Sequence, residues 1–327
     1  MNVIGTYKGI EIYKKTNRYN KKKKKNNKKK IKFASGFSIL VLITIISLIV
    51  MSVIFVKDTI DLSDESIIYY INETDKLSKD KLQLSWQEVA AIDLALNNGK
   101  EKLNNQDEIK RISESFFKYD KDKKISGIKT LKSVVNELGL KSKEKKKAEE
   151  YLVKIKNNYL NRNLIKDENK MNFISDVSEE AKKSYKEYNI LPSVTIAQAI
   201  LESGWGESAL SSEHNNLFGI KADDRWNGKK VNMETKENHE DVIQGYFRAY
   251  QNYEESIKDH GKFLSENNRY RDKGVFDKKT YEEQTQALED AGYATAKNED
   301  GELVYADLLT NVIKNNNLML YDTEVQR

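Results

Sequence analysis

Cysteine is absent from all 327 residues, so no disulfide can stabilise the chain. Histidine occurs three times, too few and too scattered for a zinc site. Any exported portion must therefore rest on its hydrophobic core alone. Charge is missing locally as well. Residues 33–56 contain no Asp, Glu, Lys or Arg, and residues 1–32 contain one acid, Glu11, against 13 Lys/Arg, a net of +12. The remaining 271 residues hold 43 Lys/Arg against 50 Asp/Glu, a net of −7, so the body is mildly acidic although the chain as a whole is +5. An acidic body argues against a nucleic-acid binder, despite the polybasic run KKKKKNNKKK at 21–30.

That run directly precedes FASGFSILVLITIISLIVMSVIFV (33–56). Twenty-four uncharged residues reach about 36 Å as a helix, enough for a hydrocarbon core of about 30 Å. A cleaved signal peptide would have an apolar region of about 7–15 residues and a small-residue cleavage site, whereas this run continues into Val56-Lys57-Asp58. The expectation is an uncleaved anchor, with 1–32 a basic cytoplasmic tail facing anionic lipid and everything after residue 56 outside the cell. Residues 57–84 are polar apart from Ile67 to Ile71 and are expected to be a juxtamembrane spacer.

Residues 85–166 predict a small helical domain. Ser85 with Glu88 forms a capping-box pattern ahead of Val89, Ile92 and Leu96. Ile112, Phe116 and Tyr119 predict a second helix, Ile128 to Leu138 a third closed by Gly139, and 148–160 a fourth, with 161–172 a polar linker. Asp120 and Asp122 sit in a loop resembling a calcium site, but glycine is missing at its sixth position and Leu131 stands at its twelfth, which excludes one. Nothing here suggests chemistry. Docking to a membrane complex or contact with anionic wall polymers both fit this lysine-rich part.

Residues 167–327 carry the chemistry. A helix over 173–188 leads into NILPSVTIAQAILESGWG (189–206). Pro192, the only proline, suits a first helical position, and Val194, Ala197 and Leu201, with Ile196 and Ile200, give a wide apolar face. Gly204 and Gly206 stop the helix just after Glu202. A carboxylate there faces the negative end of the macrodipole in dry surroundings, and both favour the protonated form that a general acid needs. Farther on, alternating apolar positions at 217–221 and 244–250, with Asn227-Gly228 between them, predict a small antiparallel β-element, and helices are expected over 253–266, 278–291 and 305–315.

AQAILESGWGESAL (197–210), HNNLFGIKA (214–222), WNGK (226–229), TKE (235–237), FRAY (247–250), YEESIKDHGKFL (253–264) and GYATA (292–296) together resemble the glucosaminidase family of peptidoglycan hydrolases, glycoside hydrolase family 73. The likeness covers about residues 170–322. It implies a mainly helical, lysozyme-like α+β catalytic domain with a small β-hairpin, acting on peptidoglycan glycan strands without metal or cofactor. It implies Glu202 as general acid and Glu237 of Thr235-Lys236-Glu237 as the second carboxylate, with Glu234 and Glu240 its rivals. Tyr293 matches the tyrosine the family keeps beside its acid, to orient it or to bind an acetamido group. Phe218, Trp226 and Asn216 are expected to line or shape the groove, while Trp205 reads as core under the helix end and His260 as a structural, hydrogen-bonded residue and not a base. Cleavage after N-acetylglucosamine, by inversion or with help from the substrate's 2-acetamido group, is the implied reaction. A muramidase, or a wall-binding protein without turnover, are the alternatives.

Overall fold

The structure, a computed structural model, describes residues 2–7, 10–14, 61–163, 167–237, 241–294, 297–298 and 300–327. Met1–Asp58 and Thr59–Arg327 are separate units. In the first, the described part is an antiparallel pair, β1 (Asn2–Tyr7) with β2 (Ile10–Lys14), which the reading of 1–32 as a plain tail did not anticipate. The apolar run 33–56, expected to be a membrane anchor, lies outside the described residues. Among those described, no helix is long and apolar enough to cross a membrane.

The second unit is mainly helical. Ser63 caps α1 (Asp64–Ser78) through the backbone N–H of Ser66, and the helix buries Tyr70, Ile71, Thr74 and Asp75. Residues 64–78, expected to be a spacer, are thus part of the packed body. Their apolar positions looked like one isolated patch because Thr74, Asp75 and Ser78 are also core residues, satisfied by internal hydrogen bonds. The expected Ser85 cap opens α2 (Trp86–Leu96), which is buried along almost its whole length. The next helix, α3 (Gln106–Ser115), stops short of Tyr119. Phe117–Tyr119 is instead a strand, β3, paired with β4 (Ile125–Ile128) around the turn that the calcium pattern had suggested. Asp120 there accepts from the backbone N–H groups of Asp122 and Lys124, the work of a tight turn.

Two helices follow, α4 (Leu131–Glu137) and α5 (Ser142–Asn163), then α6 (Glu168–Tyr188). The polar stretch read as a linker over 161–172 is therefore mostly helix, and the expected boundary at 166/167 falls inside one compact unit. Buried polar pairs tie its early helices to its last ones. The indole of Trp86 donates to Asn317 Oδ1 at 2.7 Å, Gln83 N donates to Gln326 Oε1 at 2.7 Å, Tyr281 donates to Asp75, and Arg327 pairs with Glu88.

At the centre lies α7 (Pro192–Ser203), with every residue from Pro192 to Ile200 buried. It is surrounded by α6, α11 (Tyr281–Asp290), α12 (Tyr305–Asn315) and α13 (Met319–Val325). Its first turn is fixed by Asp322 of α13, which accepts from Ser193 N at 2.8 Å and Ser193 Oγ at 2.5 Å. After α8 (Ala209–His214) come β5 (Lys230–Glu237) and β6 (Asp241–Arg248), and then α9 (Tyr253–Glu266) and α10 (Asn268–Asp272). The β-element is real, but it pairs Lys230–Glu237 with Asp241–Arg248, so Asn227-Gly228 precedes the first strand and does not join the two. The segment 220–222 adds to it, with Ala222 N donating to Tyr246 O and Arg248 N to Ile220 O.

Burial pushes the Asp322 carboxyl from 3.8 up to about 7 and that of Asp75 to about 6. A carboxyl whose folded-state pKa is raised contributes stability below the unfolded value, and that stability is lost as pH rises through the folded one. Asp322→Asn is therefore expected to melt progressively closer to, or above, the unsubstituted protein as pH is raised from about 4 to about 7. Paired thermal melts across that range check it, and a constant difference would contradict it.

Candidate functional site

The last turn of α7 places Glu202 where the helix ends, because Gly204 takes the left-handed conformation (φ +58°) that terminates it. Its side chain is exposed, yet enough protein surrounds it that desolvation raises the carboxyl pKa. Accessible to solvent and crowded by protein at once, it lies in a concavity. Among the described residues only this desolvation and one hydrogen bond shift it; no cation pairs with it.

The hydrogen bond comes from Tyr305, the first residue of α12, whose Oη is 2.9 Å from Glu202 Oε1. Gln198 Nε2 in turn donates to Tyr305 Oη at 3.1 Å. Gln198 is four residues before Glu202 and so on the same helix face. Neither Gln198 nor Tyr305 was singled out from sequence. The polar Gln198 within an apolar helix was a readable signal; Tyr305, 103 residues from Glu202, carried none.

Tyr293 follows α11 and reaches the same place. Its ring stacks on Tyr305 (centroids 5.2 Å, interplanar angle 17°) and stands edge-on to His260 at 6.2 Å. Burial and the nearby Glu202 charge hold its hydroxyl protonated, with a pKa well above the usual value. Arg269 fixes the preceding turn by donating to Gly292 O at 3.1 Å. The structure thus brings Tyr293 and Glu202 together, with the hydroxyl of Tyr305 on the carboxylate.

His260 is fully buried, and burial lowers its pKa to about 3, so it is neutral and unsuited to act as a base at working pH. Phe218, expected on the groove surface, is only 6% exposed and stacks on His260 at 3.9 Å, which makes it part of the wall behind the site. Asn216 is buried too. Its amide donates to Ile220 O and Arg248 O and accepts from Ile220 N, locking the 216–220 turn against β6. Trp226 stands in another cluster, with the Arg248 guanidinium 4.6 Å from its ring centre and Tyr250 edge-on. Trp205 packs against Phe173, as expected of a residue under the helix end.

Glu237 closes β5 in register with Asp241. Its side chain, and with it the Glu202 to Glu237 separation, lies outside what the structure describes. The register still separates the three candidates. Val231 pairs with the buried Phe247, and Asn232 with the exposed Tyr246. Strand periodicity of two then puts position 237 on the face of Phe247 and position 234 on the other, while 240 lies beyond the described residues. A cavity of about 380 Å³ lined by Lys79, Lys273, Thr280 and Glu283 lies along the outer side of α11 and shares no residue with this cluster.

A solvent-accessible yet desolvated carboxyl at a helix end, held by a tyrosine, is suited to the general-acid half of glycoside chemistry. Residues 178–318 match the Glucosaminidase family, described as mannosyl-glycoprotein endo-beta-N-acetylglucosaminidase. These residues are a glucosaminidase domain. It belongs to the glycoside hydrolases. The chain is 38% identical over 156 residues to the exo-glucosaminidase LytG of Bacillus subtilis, covering 46% of this chain and 52% of that protein. It is 36% identical over 129 residues to the peptidoglycan hydrolase FlgJ of Vibrio parahaemolyticus, covering 38% and 42%. Among solved structures, the catalytic domain of the autolysin Auto from Listeria monocytogenes is 36% identical, over 47% of this chain and 87% of that one, with a TM-score of 0.41. The chain spans about half the length of the curated relatives it matches. The glucosaminidase domain contains Gln198, Glu202, Glu237, Tyr293 and Tyr305.

The two glycines that end α7 give a test of what holds Glu202 in place. Gly204 has φ +58° with open space around it, so Gly204→Ala should cost only the backbone term of about 1–2 kcal/mol. A Cβ on Gly206 (φ +79°) would also lie 2.8 Å from Phe173 Cε2 and 2.9 Å from Tyr253 Oη. Gly206→Ala should therefore be the more destabilising in urea unfolding; equal costs would refute the close packing.

Proposed function

We propose that this protein is a peptidoglycan hydrolase that cleaves the β-1,4 glycosidic bond following N-acetylglucosamine, with Glu202 as general acid. The single observation that carries the reading is Glu202 itself: solvent-accessible, desolvated and, among the described residues, without a counter-cation, in a glucosaminidase domain. Desolvation raises its pKa above the ordinary carboxylate value, which favours the protonated form that gives its proton to the leaving oxygen as the glycosidic bond breaks. Glu237, on the hairpin, is the second carboxylate, serving to stabilise the developing oxocarbenium ion or to activate water. A substrate 2-acetamido group attacking its own anomeric carbon would leave Glu202 as the sole essential acid. The specificity for the glucosamine bond is supported by the similarity to LytG, whose name gives it as an exo-glucosaminidase.

The setting belongs to the same proposal. The uncharged run 33–56 after a +12 segment supports a single membrane span with the amino terminus inside, and the catalytic unit on the wall side. Residues 85–166, packed on the catalytic helices, would then sit between membrane and wall, positioned for a membrane-complex partner.

Four outcomes follow. Glu202→Gln should lose at least about 100-fold in wall-clearing activity, with an unchanged melting temperature; equal clearing would end the proposal. Borohydride-reduced products should carry reduced glucosamine ends by mass spectrometry, whereas reduced muramic acid ends would establish a muramidase. Glu237→Gln should fall by about tenfold or more unless the substrate assists, and Glu234→Gln should stay near wild type. The full chain should remain with membranes after carbonate extraction, and its release would remove the anchor.

A further inference from the structure

We propose that Tyr305 and Gln198 are positioning residues for Glu202, clamping Oε1 so that Oε2 is the oxygen that carries the proton to the leaving group. The inference rests on the reading of Glu202 as the acid, and it follows from hydrogen-bond direction. The Gln198 amide nitrogen can only donate, so Tyr305 Oη is the acceptor at 3.1 Å. The single phenol proton is then directed to Glu202 Oε1, 2.9 Å away. Oε1 of the carboxylate is thereby occupied as an acceptor; a proton on Oε2 keeps that bond, whereas a proton on Oε1 would have to break or reverse it.

The clamp is held rigidly. Tyr305 is 2% exposed, begins α12, and has its ring covered by Tyr293. Gln198 is fully buried, and its own Oε1 has no hydrogen-bond partner. An orphaned buried amide oxygen costs about 1–3 kcal/mol, which a leucine in this apolar helix would avoid. The amide is accounted for by its bond to Tyr305.

The groups that face Glu202 are few. From α7 comes Gln198, from α12 Tyr305, and from the loop after α11 Tyr293; His260 lies beyond Tyr293 and is neutral. Glu237 belongs to the β5–β6 hairpin, and its side chain lies outside the described residues. Of the described groups, Tyr305 is the one that favours the carboxylate form, opposing the desolvation that favours the acid. Removing its hydroxyl should raise the pH at which Glu202 loses its proton.

The test uses the full chain with Tyr305→Phe and Gln198→Leu. For Tyr305→Phe, the alkaline limb of kcat/KM should move up by about half a pH unit or more. At the optimum kcat should fall about tenfold while KM stays within twofold. Gln198→Leu should move the limb the same way by less, and the double variant should add little to Tyr305→Phe. In parallel, carbon-13 titration of glutamate carboxyls, with Glu202→Gln to assign the resonance, should show Glu202 titrating at higher pH in Tyr305→Phe. An unmoved limb and an unmoved resonance overturn the proposal, including when activity falls together with the melting temperature, which would mark a purely structural tyrosine. If the unsubstituted protein hydrolyses nothing, the functional reading fails, and the carboxyl titration still decides the clamp.

Discussion

The site depends on a carboxyl that reaches solvent yet is crowded by protein, with no cation paired to it among the described residues. Every residue of α7 from Pro192 to Ile200 is buried, so the helix delivers Glu202 from the core to its solvent-accessible end. A single lysine or arginine within ion-pair distance would reverse the consequence by stabilising the carboxylate. Instead the neighbours are Tyr305, Tyr293 and a neutral His260, which exclude water without supplying charge.

Such a helix has to be held at both ends. At its start Asp322 accepts both Ser193 donors, and at its end Gly204 and Gly206 turn the chain beneath Phe173 and Tyr253. Asp322 belongs to α13, whose neighbourhood is tied to the early helices through Gln83, Trp86 and Glu88. Residues 61–163 are accordingly part of the support of the catalytic helix. Their lysine-rich exterior remains available for contacts outside the molecule, because the ties use the interior face.

Much of this was legible in particular residues. The Ser85–Glu88 cap, Pro192 at a helix start, Gly204 at its stop and Glu202 in the final turn all express local rules of periodicity and capping. So does the expectation that Trp205 packs; His260, expected to be hydrogen-bonded, is buried with neither ring nitrogen bonded among the described residues. Phe117–Tyr119 was taken for helix because its apolar spacing continues that of Ile112 and Phe116, and pairing with β4 overrode it. The hairpin turn was placed at Asn227-Gly228 because that dipeptide is a strong turn signal. Pairing of Lys230 through Glu237 with Asp241 through Arg248 fixed the turn elsewhere.

The sequence by itself determined the capped helix begun at Ser85 and the central helix begun at Pro192, the strong segregation of charge between residues 1–32 and the rest, and the carboxylate at the end of the one proline-started apolar helix. These follow from interactions between residues a few positions apart. Only the tertiary structure decided that a tyrosine 103 residues away would hold that carboxylate, that residues 64–78 would join the core, and that Phe218 would lie behind the site. Each of these results from packing between segments distant in the chain, where burial and hydrogen-bond direction depend on which surfaces meet.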